Sequence, residues 1–204
     1  MTKVKICGLM EREHVLNAIE SGADAIGFVF ANSRRQVTVE QAKALATAVP
    51  NGILKIGVFV NETREEVERI AREVPLDMVQ LHGDENQDYV RGISLPTIKA
   101  LSITNEEDVQ KASTYEVDYY LFDAPGDEFR GGSGNSFDWS LLQKVNIPIN
   151  KVILAGGLNV NNISEAIHIV KPYMVDVSSG VETENRKDAG KIRAFINTVR
   201  EEER

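Results

Sequence analysis

Residues 151–181 read KVILAGGLNVNNISEAIHIVKPYMVDVSSGV, and this stretch decides the fold. A β-branched and aliphatic run over 151–155 stops at Gly156-Gly157. A second apolar run over 174–177 stops at Ser178-Ser179-Gly180. Short runs of this kind, bounded by small residues, are typical of buried strands. The stretch is therefore predicted to contain two strands that each end in a loop of small residues.

The segment between the two runs has helical spacing. Its apolar residues recur at Ile163, Ala166, Ile167 and Val170, and residues 161–162 (Asn-Asn) are candidate N-caps. Small residues in a loop let a phosphate approach backbone N–H groups, and the helix N-terminus adds the positive end of its dipole. Two such loops form the phosphate site after the seventh and eighth strands of a (β/α)8 barrel. For the glycine pair taken alone, a tight turn is the alternative.

The bulk properties favour one globular domain over residues 1–204. The chain is 42% hydrophobic and 26% charged, and its length lies at the lower edge of the ~200 to 400 residues of such barrels. A net charge of -8 argues against nucleic acid and membrane surfaces as partners. The single cysteine excludes an internal disulfide and fits a reducing cytoplasm. No signal peptide is evident, and no apolar run approaches the ~20 residues that span a bilayer.

Strand and helix patterns alternate about eight times along the chain. The predicted strands cover 4–7, 23–30, 54–60, 78–81, 97–101, 118–122, 151–155 and 174–177. The predicted helices cover 11–21, 38–49, a segment that begins after Thr63, 88–91, 104–112, 141–145, 163–170 and 188–200. Uninterrupted alternation indicates a parallel α/β fold, and eight units favour a single-domain (β/α)8 TIM barrel. A Rossmann-type sheet is the alternative, but no G-x-G-x-x-G follows the first strand.

The active site of such a barrel lies at the carboxyl ends of its strands. Polar or reactive residues found there are Cys7, Arg35, Asn61, His82, Asp123 and Ser178. Period-two alternation places a further set, Lys5, Gln80, Lys99 and Asp176, on inward faces beneath them. Because buried charges must be paired, Asp176 is predicted to balance Lys5, Lys99 or both. The alternative is that the lysines snorkel along the barrel wall.

Each candidate also has a structural interpretation. A lone cysteine in a strand is often a small buried hydrophobe, Asp123 could cap a turn, and His82 could be a structural histidine. Arg34 and Arg35 are adjacent, so at least one is expected to point to solvent. The glycine run over 131–134 is either a flexible loop or a lid over the site.

Seven segments carry a resemblance to a known family. They are VKICG (4–8), GADAIGFVFANSRR (22–35), IGVFVN (56–61), VQLHGDE (79–85), GGSGNSFDW (131–139), ILAGGLNVNNI (153–163) and VDVSSGVE (175–182). Together they resemble phosphoribosylanthranilate isomerase of tryptophan biosynthesis, over nearly the whole chain. The resemblance implies a barrel of the ribulose-phosphate-binding type. It also implies an Amadori rearrangement of N-(5-phosphoribosyl)anthranilate without a metal or organic cofactor.

The resemblance also implies roles for individual residues. It makes Cys7 the general base and Asp123 the general acid, and it makes Arg35 the ligand of the anthranilate carboxylate, with Arg34 as the weaker candidate. The full set of candidate substrate-binding residues is Arg35, His82, Gly132, Gly156, Gly157, Asp176, Ser178, Ser179 and Gly180. The expected partner is the small-molecule substrate, and the chain is compatible with a monomer or a homodimer.

Two other functions remain open from the sequence. Another sugar-phosphate barrel enzyme, such as an indole-glycerol-phosphate synthase or a histidine-pathway isomerase, shares the phosphate loops. The first would need catalytic lysines at strand ends, and the second an Asp in place of Cys7. A non-catalytic phosphosugar-binding barrel is the third possibility, and the presence of both Cys7 and Asp123 argues against it.

Overall fold

Eight parallel strands close into a barrel in sequence order, β1 to β8, with β8 hydrogen-bonded to β1. The structure, a computed structural model, describes residues 1–125, 136–144 and 146–202. The barrel strands are β1 Lys3–Cys7, β2 Ala25–Val29, β3 Leu54–Phe59, β4 Met78–Leu81, β5 Thr97–Ser102, β6 Tyr119–Asp123, β7 Val152–Leu154 and β8 Met174–Val177. The predicted TIM barrel is confirmed.

Helices cover the outside of the barrel. They are α1 Arg12–Glu20, α2 Val39–Ala46, α3 Arg64–Glu73, α4 Gln87–Arg91, α5 Glu106–Lys111, α6 Ile163–Val170 and α7 Ala189–Glu201. Short 3₁₀ turns span Ala112–Thr114, Trp139–Lys144, Ile149–Lys151 and Ser179–Val181. None of the helices within the described ranges is long and apolar enough to cross a membrane.

Local sequence explains where several helices begin. Thr38 accepts a hydrogen bond from the Gln41 N–H, and the Gln41 side chain accepts from the Thr38 N–H, which completes a capping box at α2. Thr63 caps α3 through the Glu66 N–H. Asn162 is the N-cap residue of α6, as predicted, but its side chain makes no capping hydrogen bond to that helix. Its side chain instead holds the loop that precedes the helix.

The strands separate two apolar layers, as the period-two pattern predicts. One layer, with Ile56, Leu121 and Ile153, fills the barrel, and the other lies between the strands and the helices. The prediction for Lys99 is wrong. On β5, Ile98 and Ala100 belong to the inner layer, so Lys99 between them points outward.

Lys99 is buried on the outer side of the barrel. Its ammonium lies 2.8 Å from a Glu85 carboxylate oxygen and 5.5 Å from the centre of the Tyr115 ring. Glu85, which follows β4 by four residues, therefore neutralises Lys99, and of the two lysines only Lys5 pairs with Asp176.

A two-stranded antiparallel ladder after β8 was not predicted. It consists of β9 Glu182–Thr183 and β10 Arg186–Lys187. Glu184 and Asn185 at its turn adopt positive φ angles of 50° and 64°. Two-residue strands are too short to give a periodic signal in sequence. This ladder brings Glu182 and Lys187 back toward the carboxyl end of the barrel.

Candidate active site

A cavity of about 380 Å³ opens at the carboxyl ends of the strands. The candidate residues that line it are Cys7, Arg35, His82, Asp123, Gly156, Gly157, Asp176, Ser178 and Ser179. Gly180 belongs to the same loop as Ser179, and Gly132 lies outside the described residues. The structure therefore brings these candidates together around one space. Asn61 is not among the lining residues, and its Oδ1 instead accepts from the Asp84 N–H at 2.6 Å.

The loops after β7 and β8 pack directly against each other. A Cβ on Gly180 would lie 1.9 Å from the Leu158 carbonyl oxygen, so only glycine fits there. Gly156 and Gly157 have φ angles of 84° and 63°, which favour glycine. Within the described ranges, the backbone N–H groups of Gly157, Ser179 and Gly180 donate to no protein acceptor. These donors give the cavity an anion-binding wall.

The asparagines before α6 hold the first of these loops in shape. Asn162 Nδ2 and Asn159 Nδ2 both donate to the Gly157 carbonyl, at 3.0 and 3.1 Å. Asn162 Oδ1 accepts from the Asn159 N–H at 2.8 Å. With its carbonyl held in this way, Gly157 keeps its N–H available to a ligand.

A row of polar side chains crosses the floor of the cavity, joined by hydrogen bonds from Asp176 to His82 and by a longer contact from His82 to Asp123. Lys5 Nζ donates to Asp176 Oδ2 at 2.7 Å and to Gln80 Oε1 at 2.9 Å. Gln80 Nε2 lies 3.2 Å from His82 Nδ1, and His82 Nε2 lies 3.4 Å from Asp123 Oδ2. The register of β1 with β8 places Lys5 directly beside Asp176, which confirms that pair.

Asp123 is held as a weak acid. Burial raises the pKa of its carboxyl to about 7, the nearby Asp176 carboxylate adds to this shift, and the Ala124 N–H and Lys5 oppose it. A carboxyl group with a pKa near neutrality can both donate and accept a proton at physiological pH.

The Cys7 thiol lies beside the Lys5 ammonium. Burial raises the pKa of Cys7 above its ordinary value, Lys5 opposes that shift, and Asp176 adds to it. Burial alone would lower the pKa of Lys5, but attraction to Asp176 and Cys7 outweighs it, so Lys5 stays protonated. The cation therefore favours the thiolate without overcoming the cost of burying it.

Arg35 is buried against the β9–β10 ladder. Its Nε and Nη2 donate to the two carboxylate oxygens of Glu182, at 2.6 and 2.8 Å. Lys187 Nζ donates to the same carboxylate at 2.7 Å and to the Ser178 carbonyl at 2.9 Å. Arg34 is more exposed, with nearly half of its side chain accessible; it donates to Asn185 Oδ1, and its Nη2 lies 3.6 Å from the same Glu182 carboxylate.

Glu182 and Lys187 are site residues that the sequence did not predict. Glu182 ends the segment VDVSSGVE, so its signal was present in the motif. Lys187 lies on a two-residue strand with no periodicity. It affects the site electrostatically, since it opposes the rise in the pKa of Cys7.

The arrangement can carry out proton transfer on a bound anion. The loop N–H groups are available to bind an anion, and Arg35 and Lys187 supply positive charge near Ser178. Cys7 and Asp123 stand on the first and sixth strands as candidate base and acid.

Comparison with known proteins gives a consistent result. The family model of N-(5'-phosphoribosyl)anthranilate (PRA) isomerase matches residues 4–198. The Bacillus cereus (strain G9842) N-(5'-phosphoribosyl)anthranilate isomerase is 53% identical over 195 residues, which cover 95% of this chain and 96% of the relative.

Solved structures of this kind are also similar. The crystal structure of phosphoribosyl anthranilate isomerase from Thermotoga maritima superposes with a TM-score of 0.90, at 39% identity over 98% of this chain and 100% of the other. A phosphoribosyl anthranilate isomerase in complex with reduced 1-(o-carboxyphenylamino)-1-deoxyribulose 5-phosphate has a TM-score of 0.86, at 38% identity over 98% and 100%.

Proposed function

The chain belongs to the N-(5'-phosphoribosyl)anthranilate isomerase family, and on this basis we propose which of its residues carry out the reaction. The protein is an isomerase of tryptophan biosynthesis. It converts N-(5-phosphoribosyl)anthranilate into 1-(2-carboxyphenylamino)-1-deoxy-D-ribulose 5-phosphate by an Amadori rearrangement. The observation that carries the proposal is the presence of Cys7 and Asp123 in one cavity with the glycine and serine loops.

Asp123 acts as the general acid. Opening the furanose requires a proton on the ring oxygen, and a carboxyl group with a pKa of about 7 retains its proton over much of the physiological range. Ring opening yields an iminium, which makes the proton on the second sugar carbon acidic.

Cys7 acts as the general base. Its thiolate takes the proton from the second carbon, and the resulting enolamine then tautomerises to the ketone. The positive iminium and the Lys5 ammonium both favour the thiolate at that moment. One acid and one base are sufficient, so the chemistry needs no electron transfer and no further catalytic group.

Two separate regions of the cavity bind the two anionic ends of the substrate. The N–H groups of Gly157, Ser179 and Gly180 bind the phosphate. Arg35 binds the anthranilate carboxylate. Glu182 occupies the Nε–Nη2 side of the guanidinium, which leaves the Nη1–Nη2 end for a second carboxylate. His82 and Asp176 line the space between these regions.

Replacing Arg35 by Lys is expected to raise KM by about tenfold or more, because Lys cannot bind Glu182 and a second carboxylate through one planar fork. Arg34→Ala is the comparison, since Arg34 is half exposed and meets Glu182 only through a longer contact of 3.6 Å, so a smaller rise in KM is expected. Steady-state kinetics of both variants measures the difference. A larger rise in KM for Arg34→Ala would assign the carboxylate to Arg34.

Replacing Lys5 by Met is expected to raise the pKa of Cys7. The active enzyme needs Cys7 as a thiolate and Asp123 as a carboxylic acid. Because the pKa of Cys7 is higher than that of Asp123, only a small fraction of the enzyme has both groups in these forms at any pH. Each unit added to the pKa of Cys7 lowers kcat/KM about tenfold between the two pKa values and moves the upper limb of the pH profile to higher pH.

The pH dependence of kcat/KM measures this effect. The control is the double variant Lys5→Met/Asp176→Asn, which avoids leaving the Asp176 carboxylate buried and unpaired. If a folded Lys5→Met protein keeps the wild-type profile, Lys5 has a purely structural role.

A coupled assay tests the proposed function as a whole. Substrate is generated in situ from anthranilate and phosphoribosyl pyrophosphate by a phosphoribosyltransferase, and loss of the fluorescence of the anthranilate adduct is followed. We expect rapid turnover that depends on the amount of protein. A rate equal to that without the protein would contradict the proposal.

We also infer the setting in which the enzyme acts. A cytoplasmic location fits its single cysteine, and the net charge of -8 favours neither nucleic acid nor anionic membranes. Residues 1–204 then act as one domain, as a monomer or a homodimer, with the small-molecule substrate as the partner.

A further inference from the structure

The side-chain amide of Gln80 can have only one orientation. Gln80 is almost fully buried, and its Oε1 accepts from Lys5 Nζ at 2.9 Å. An ammonium has only donors, so the amide oxygen must face Lys5. The amide Nε2, a donor only, therefore faces His82 Nδ1 at 3.2 Å.

This orientation fixes the tautomer of His82. A nitrogen that faces an N–H donor must accept, so Nδ1 carries no proton, and the proton of the neutral ring lies on Nε2. Protonation of Nδ1 would break the bond to Gln80 and add a second positive charge close to Lys5. Both effects favour the neutral ring, whose Nε2 lies 3.4 Å from Asp123 Oδ2, a contact that does not have the alignment of a hydrogen bond.

The tautomer determines where Asp123 can place its proton. Because Nε2 already carries a hydrogen, it cannot accept the carboxylic proton. That proton therefore stays on the carboxyl group and is not shared with the imidazole. If Nε2 carried a lone pair instead, it would be able to accept the proton, and a carboxylate–imidazolium pair would compete with the acid.

The backbone around His82 is held by hydrogen bonds that do not involve the Gln80 side chain. The Gly83 N–H donates to Glu85 Oε2 at 2.9 Å, and the Gly83 carbonyl accepts from Lys99 Nζ at 2.7 Å. On the other side, the His82 N–H donates to the Phe59 carbonyl at 2.8 Å. A change at Gln80 therefore alters the protonation of the ring more than its position.

We propose that Gln80 is a positioning residue that fixes His82 as the Nε2–H tautomer and so keeps the catalytic proton of Asp123 available to the substrate. Lys5 acts on His82 through the side-chain carbonyl of Gln80. The carboxylates that face this group of side chains are Asp176, beside Lys5, and Asp123, beside His82. The proposal rests on the assignment of Asp123 as the general acid.

The tautomer can be observed without an activity measurement. The chain has three histidines, and His14→Gln with His168→Gln leaves His82 as the only one. The ¹⁵N NMR spectrum of this protein near pH 7 is expected to show a protonated Nε2 and an unprotonated Nδ1. A proton on Nδ1, alone or together with one on Nε2, would overturn the proposal.

Two substitutions of Gln80 test the consequence for catalysis. In Gln80→Glu a carboxylate accepts from both Lys5 and His82 Nδ1, so Nε2 becomes the acceptor and Asp123 loses its proton to the ring. We expect a doubly protonated His82 and a fall in kcat of about 10²- to 10⁴-fold, the usual effect of losing a general acid. In Gln80→Met the hydrogen bond to His82 Nδ1 is lost, but no acceptor replaces the amide donor. A mixture of His82 tautomers and a smaller fall in kcat are therefore expected.

The matched control is Gln110→Glu, the same change at an exposed position on α5. Unchanged kcat in both Gln80 variants, or equal losses with the wild-type tautomer retained, would refute the proposal. Its failure differs from failure of the acid assignment: if Asp123 is not the acid, Asp123→Asn retains activity whatever the tautomer of His82.

Discussion

Replacing Cys7 by Ser is expected to lower kcat by about 10²- to 10⁴-fold, with KM changed by no more than a few-fold. A serine hydroxyl has nearly the shape of the thiol but is a far weaker acid, so no anion forms beside Lys5 to take the proton from the sugar. Steady-state kinetics at several pH values measures the effect. Near wild-type turnover would show that another group is the base.

Chemical modification gives a second test of Cys7, because it is the only cysteine in the chain. A thiol-selective reagent should inactivate the enzyme, and bound product should protect it. Since burial raises the pKa of this thiol, the rate of inactivation should increase about tenfold per pH unit below that pKa. Modified protein that keeps full activity would argue against a catalytic thiolate.

Replacing Asp123 by Asn is expected to have the other large effect on turnover. The amide cannot release a proton to the ring oxygen, so kcat should fall by about 10²- to 10⁴-fold while substrate binding is largely retained. Kinetics at saturating substrate measures the loss. A variant with near wild-type kcat would remove Asp123 from the mechanism.

The same substitution should increase stability above neutral pH. The pKa of Asp123 is about 7 in the folded protein against an ordinary value of 3.8, so between these values the folded state binds more protons than the unfolded state. Stability therefore falls as pH rises through this window. Three pKa units correspond to about 4 kcal/mol, an order-of-magnitude figure for the cost of ionising Asp123 above pH 7.

Denaturant unfolding of both proteins at pH 5 and pH 8.5 measures this difference. Asp123→Asn should be the more stable protein at pH 8.5, and its advantage should shrink at pH 5. Asp88→Asn is the matched control, since the Asp88 side chain is 89% exposed. If the difference between wild type and Asp123→Asn stays the same at both pH values, Asp123 does not have a raised pKa.

The sequence alone determined the barrel and the two loops after β7 and β8. Alternating strand and helix patterns reflect local periodicity, which is set by neighbours within a few residues. The same periodicity correctly placed Lys5, Gln80 and Asp176 inside the barrel. It failed at Lys99. Alternation shows which residues of β5 share a face, but it does not show which of the two faces points into the barrel.

Only the tertiary structure decided which polar groups meet. The register of β1 with β8 places Asp176 beside Lys5, and the short β9–β10 ladder brings Glu182 to Arg35 and Lys187 to Ser178. Barrel closure also lines up Gln80 and His82 with Asp123 from β6. These contacts join residues far apart in the chain, and no local pattern encodes them. The sequence therefore determined the barrel and the kinds of groups at its mouth, while packing across strands decided their partners and their protonation.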